Sequence, residues 1–275
     1  MNLASFSFHP PLCLLTVILA AGIGPAAAQD TIYLDAGFRQ STASQPMYYG
    51  FKTRTPDGWE LTCYYLTGKL KMTGEFADDS LRVRQGDFVW YDSSGTLTNR
   101  NAYAGNLEEG PIAFYYANGQ LQVSGYTRAG KNDGNWIGYY LSGQVSGKAT
   151  YSDGKQISAV MYHEDGSSNK DMPAFMRNAQ YPGGMARQNQ FISQHARYPE
   201  KAARERTQGS VLVTFTVSKE GKLSDYQISF SDNPDLNAEA LRVVKLMPDW
   251  EPAIRGGIYI SGFGQALVLF RLKSK

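Results

Sequence analysis

The chain is poor in the residues that carry most enzyme chemistry. It has 2 cysteines and 3 histidines in 275 residues, and no G-x-S-x-G, H-E-x-x-H or phosphate-loop pattern occurs. Catalysis therefore has no set of groups to rest on, and neither a metal nor a cofactor is expected. His163 falls in a turn-like Tyr162-His163-Glu164-Asp165-Gly166 and reads as a solvated loop residue, while His195 lies near Tyr198 on a helical stretch and reads as structural. Asp232, Asp235 and Glu239 crowd a helix start, where capping accounts for acidic side chains. An excess of one charge is missing too: 27 Lys and Arg stand against 25 Asp and Glu, which excludes nucleic acid as the expected partner. No small-molecule substrate is evident. Only 12 prolines are scattered along the chain, so it holds no long Pro-rich spacer. Beyond residue 30 no run approaches the ~20 apolar residues that a membrane-spanning helix needs.

The N-terminus does hold an apolar run, Leu12 to Ile23, too short to span comfortably. Pro25 follows, then Ala26, Ala27 and Ala28, the small side chains that a signal peptidase accepts. This reads as a signal peptide over residues 1–28, cleaved after Ala28, that exports the chain to the periplasm or cell envelope. Met1 to Pro11 contains no Lys or Arg, so a second reading stands beside it: an uncleaved signal anchoring the chain in the inner membrane. With Cys13 removed, Cys63 has no partner in its own chain, and the fold must rest on its core rather than on a disulfide. Between Leu61 and Tyr64, Cys63 reads as a buried structural thiol.

What is abundant is aromatic and unevenly placed. All of the 18 tyrosines except Tyr181, Tyr198, Tyr226 and Tyr259 precede residue 167, as do all tryptophans except Trp250. After an N-terminal extension over 30–57, residues 58–166 repeat. Gly86, Gly110 and Gly134 step by 24 residues, in register with Gly95, Gly119 and Gly143. Each pair brackets an aromatic run (Phe88-Val89-Trp90-Tyr91, Phe114-Tyr115-Tyr116, Ile137-Gly138-Tyr139-Tyr140) and a glycine turn, the pattern of a β-hairpin. Second turns are expected at Ala129-Gly130, Asp133-Gly134 and Asp153-Gly154. A lone hairpin cannot bury its aromatic face in water, so the units must stack into one elongated antiparallel sheet. Trp136 and Tyr140 are then expected in its core. The segment from Gly134 through Trp136, Tyr139, Tyr140 and Gly143 to Val145 resembles the MORN-type repeat, also seen in YwqK-like antitoxins. That resemblance speaks to fold and little to function.

Residues 167–178, polar and carrying Pro173, read as a linker to a second domain over 179–275. There, Gly184 to Arg206 is helical around a break at Pro199. Val211, Val213, Phe215 and Val217 alternate along a strand opened by Gly209, which a Lys219-Glu220-Gly221-Lys222 turn returns over Leu223 to Phe230. A helix is expected at about 236–247, ended by Pro248, and a last apolar strand from Gln265 to Leu272. The order predicts an α+β fold: a three-stranded antiparallel sheet with its helices on one face, following the hairpin repeats.

Tyr181-Pro182-Gly183-Gly184, Tyr198-Pro199, Gln208-Gly209, Gly221-Lys222-Leu223, Ala240-Leu241 and Trp250-Glu251-Pro252 occur in the order seen in TonB C-terminal domains, and this domain resembles the Bacteroidota type. Gly256, Gly257, Gly262 and Gly264 depart from that pattern. The resemblance implies a non-enzymatic protein in which an extended peptide of a partner pairs with the last strand. The expected site is Ala266, Leu267, Val268, Leu269, Phe270, Arg271 and Leu272, with Tyr198 and Gln208 beside it. The implied partner is an outer-membrane TonB-dependent transporter or another envelope protein, with a homodimer through the same edge as a further use. The alternative is a structural or antitoxin-like scaffold whose repeats hold the partner, with the second domain as an accessory.

Overall fold

A computed structural model describes residues 31–35, 37–41 and 46–272. The expected leader and its cleavage point after Ala28 lie outside the described residues. No helix among those residues is long and apolar enough to cross a membrane.

Strands β1 (Ile32–Leu34), β2 (Tyr48–Thr55), β3 (Gly58–Tyr65), β4 (Leu70–Phe76), β5 (Arg84–Tyr91) and β6 (Leu97–Ala104) continue into β7 (Leu107–Tyr115), β8 (Leu121–Arg128), β9 (Lys131–Tyr139), β10 (Val145–Ser152) and β11 (Lys155–Met161). They form one antiparallel sheet of 11 strands in chain order, so residues 32–55 join the repeats in a single sheet. The aromatic runs end in turns closed by Gly95 N–H to Asp92 C=O, Gly119 N–H to Tyr116 C=O and Gly143 N–H to Tyr140 C=O. At the opposite end, Ala129-Gly130 and Asp153-Gly154 hold positive φ at both residues, the two-residue turn whose twist matches that of the strands. Asp133-Gly134 is not a turn but lies inside β9, and Gly105-Asn106 makes the equivalent turn between β6 and β7.

One face of this sheet carries the core. Leu61, Cys63, Met72 and Phe88 are buried at its N-terminal end, covered by Ile32, Leu34 and Leu81, and Val123, Trp136 and Ala149 at the other, covered by Phe175. Buried Asn101 lies between these clusters, with its amide spent on the Tyr103 hydroxyl (2.9 Å) and Glu108 (2.8 Å) and its oxygen on Trp90 Nε1 (3.0 Å). Trp136 is 1% exposed, as its place in the repeat requires. Tyr140 is only half-buried, which corrects its expected place in the core. Its hydroxyl donates to the Tyr162 carbonyl (2.7 Å), as Tyr116 does to Tyr139 (2.8 Å) and Tyr65 to Tyr91 (3.1 Å). The second aromatic of these units thus staples one hairpin to the next.

The second domain comprises α1 (Gly184–His195), α2 (Glu200–Arg204), β13 (Gly209–Val217), β14 (Leu223–Ser231), α3 (Asn237–Lys245) and β17 (Gly262–Phe270), with the short strands β12 (Met176–Arg177), β15 (Ala253–Arg255) and β16 (Ile258–Ile260). The main sheet has the order β14-β13-β17, and its apolar alternation faces the helices: Val211, Val213, Phe215 and Val217 pack with Val268, Phe270, Ile192, Val243 and Val244. The helix expected from 236 opens as a tight turn, Pro234–Leu236, capped by the Asn233 side chain on Asp235 N–H (2.9 Å). The acidic residues nearby are engaged otherwise: Asp232 accepts from Ser210, Asp235 pairs with Lys201, and Glu239 with Arg242, whose hydrogen bond holds that carboxyl below its usual range. Capping by those carboxylates is therefore replaced by capping from Asn233. A second small sheet has the order β12-β15-β16, with Gly256-Gly257 between β15 and β16.

Candidate functional site: an open strand edge beside an interdomain groove

The hydrogen-bonding sides of β17 follow from its neighbours. Asp232 N–H donates to the Ser210 carbonyl, so Ser210 faces away from β17 and Val211 faces toward it. Val211 pairs with Val268 and Gly209 with Phe270, which turns the main-chain groups of Ala266, Val268 and Phe270 toward β13. Those of Gln265, Leu267 and Leu269 then point outward, and the Gln265 carbonyl accepts from Gln188 Nε2 (2.8 Å) on α1. No other strand of the described residues lies beyond β17.

Gln188 takes the Gln265 carbonyl at one end of this edge. Gln208 Oε1 accepts the Leu272 N–H (2.9 Å) on the opposite side of the strand, the side that faces β13. The outward groups of Leu267 and Leu269 meet no strand of the described residues. The side chains of Ala266, Val268 and Phe270 are buried, whereas those of Leu267, Leu269 and Arg271 are exposed and that of Leu272 is half-buried. Tyr198 donates its hydroxyl to the Thr207 carbonyl (2.5 Å) and packs edge-on against Phe270 (5.8 Å). The structure thus brings Tyr198, Gln208, Phe270 and Leu272 together at the C-terminal end of the strand. The helix-free face of the sheet is apolar at Leu212, which pairs with both Leu267 and Phe230. His195 stacks on Phe191 at 4.0 Å, with Nδ1 against that residue's carbonyl (2.8 Å), and His163 sits in a closed turn.

Sequence reasoning did not find the neighbouring groove. Strands β15 and β16 form a hairpin whose tip, Gly256-Gly257, lies on the repeat sheet: Ser146 Oγ donates to Gly256 C=O (2.6 Å) and Gly257 N–H to Phe175 C=O (2.9 Å). A groove of about 970 Å³ runs between the domains from Phe114 to Gln265. Its lining includes Arg177 and Arg255 and no Asp or Glu. Arg177 is matched by Glu251 at 2.8 Å, with Nε left without a partner. Arg255 stacks over the Phe114 ring (4.4 Å), and among the described residues its hydrogen-bond partner is Gln122 Oε1, at 3.5 Å. Burial pushes its pKa down, and no carboxylate among the described residues offsets that push. The findable signal was Gly-Gly between two short apolar runs, a hairpin pattern.

Residues 194–272 match the family model described as Gram-negative bacterial TonB protein C-terminal, and residues 132–153 that of a MORN repeat variant. Among solved structures, the TonB C-terminal domain of Helicobacter pylori, determined in solution by NMR, is 25% identical, with 33% of this chain and 81% of that chain covered and a TM-score of 0.27. No curated protein matches.

Proposed function

We propose that this chain is an exported envelope protein that takes the extended peptide of a partner onto the β17 edge, and that the partner is an outer-membrane TonB-dependent transporter whose transport it helps to energise. The observation that carries this reading is the open main-chain window at Leu267 and Leu269, limited at one end by Gln188 on the Gln265 carbonyl. A row of outward N–H and C=O groups on an exposed strand is a template for strand addition, in which the main chain supplies affinity and alternate side chains supply selectivity. The TonB C-terminal match over residues 194–272 supports it. In this reading the site is Ala266 to Leu272, with Tyr198 and Gln208 holding its far end in shape, and binding involves no catalysis. The repeat sheet replaces a flexible spacer with a stiff one, on the order of 50 Å long for 11 strands at ~4.8 Å each. The same edge serves a second copy of the chain when the partner is absent.

The test is a photo-crosslinking residue placed at Leu269 in the full chain, expressed in its native host. The expected outcome is an adduct with an outer-membrane transporter. An adduct from Ile157, exposed on the β11 edge, with none from Leu269 would move the partner to the repeat sheet and favour the scaffold reading.

A further inference from the structure

We infer that the peptide taken by β17 carries an acidic side chain and that the interdomain groove receives it beside Arg255; this rests on the edge reading above. The ladder that a peptide makes along β17 ends where Gln188 already occupies the Gln265 carbonyl. There the peptide leaves the edge, and what adjoins it is the groove, which Gly262, Phe263, Gly264 and Gln265 line along with Arg255. Phe263 is 87% exposed and Met185 75%, so the rim offers apolar contact while the floor offers charge.

The charge is of one sign. Glu251 neutralises Arg177, but Arg255 has no carboxylate within ion-pair distance among the described residues. A guanidinium drawn out of water without an acid is costly, and a carboxylate from outside recovers that cost in charge-assisted hydrogen bonds. The start of α1 at Gly184 has no acidic residue in its first turn and adds to the same sign. From Leu267 back to Phe263 is about four residues of strand, roughly 13 Å. The acid therefore lies about four residues from the paired segment, on its C-terminal side if the peptide runs antiparallel to β17 and on its N-terminal side if parallel.

The experiment uses the full chain without residues 1–28 and unlabelled decapeptides of alternating Thr and Val, with one Asp near either end or Asn in its place, titrated calorimetrically. An Asp at one end is expected to tighten binding about tenfold over Asn, the worth of one good charge-assisted contact. Arg255→Gln should abolish that gap and Arg255→Lys should keep most of it, with melting curves confirming that both are folded. If Arg255→Gln does not fold, the wild-type gap should still collapse in 1 M salt, where the Debye length is about 3 Å. Equal binding of Asp and Asn peptides, lost in Leu267→Pro, would overturn the groove and keep the edge. An Asp preference that survives Leu267→Pro would overturn the edge while supporting the groove, and one that survives Arg255→Gln would overturn Arg255 as the receiver. Binding of none of the peptides would overturn both.

Discussion

Trp136 and Gly125 are one unit across β8 and β9. A Cβ on Gly125 would stand 2.1 Å from the indole, so the glycine is the seat of the ring. Removing the ring leaves a cavity, and Trp136→Ala should cost about 3–5 kcal/mol in denaturant unfolding. Tyr140→Phe should cost about 1 kcal/mol, since it loses one hydroxyl staple to Tyr162 and little burial. Trp136 was legible because a 24-residue step forces equivalent aromatics to stack. The staples were not, since a hydroxyl's partner depends on strand register. Cys63 gives a pH prediction. It is fully buried, and burial pushes its thiol from 9.0 to about 12. The folded state then keeps the proton that the unfolded chain loses, so this contribution is complete below pH ~9 and is lost as pH rises toward ~12, by on the order of 1 kcal/mol per pH unit. Urea unfolding at pH 8 and pH 10 should show that loss in wild type and not in Cys63→Ala. Alkylation at pH 8 should require unfolding.

At the scale of elements, β17 separates two kinds of proline. Val268 turns its N–H toward β13, so Val268→Pro breaks the ladder and should destabilise the domain by about 3 kcal/mol or more. Leu267 and Leu269 turn theirs outward, so Leu267→Pro and Leu269→Pro should leave the melting temperature within a few degrees and lose partner capture. Folded proline variants that still capture the transporter would remove β17 as the edge. Side-chain alternation made this strand legible, with Ala266, Val268 and Phe270 on the core side. Its start was misread, because Gly262 and Gly264 carry no side chain to show the period, and Gly264 is kept small by the Phe215 ring, 2.2 Å from where a Cβ would stand. Three-residue strands such as β15 and β16 are too short for any periodicity to register.

For the whole molecule, the decisive contact joins residues far apart in sequence, Ser146 and Gly256, and no local pattern reports it. Both sides of the joint are glycine for the same reason. A Cβ on Gly256 would meet Val123 at 2.6 Å, and one on Gly138 would meet the Gly256 carbonyl at 2.5 Å, so the backbones touch directly. Gly256 also holds φ 64, a conformation that other residues adopt at a cost. Gly256→Ala and Gly138→Ala should therefore have one phenotype although they lie in different domains: the hairpin tip lifts from the sheet and the groove opens. Amide exchange at Gly257, whose N–H is held by Phe175, should accelerate in both, and calorimetry should show one transition for the wild type and two for each variant. Gly119→Ala is the control, since its φ of 83 makes it strained but a Cβ there meets nothing within 4 Å. It should lower stability without parting the transitions. Because both alanines break the same contact, the double variant should cost markedly less than the sum of the singles. Strict additivity would mean that each alanine strains only its own domain, and the two domains would then not be locked through this joint.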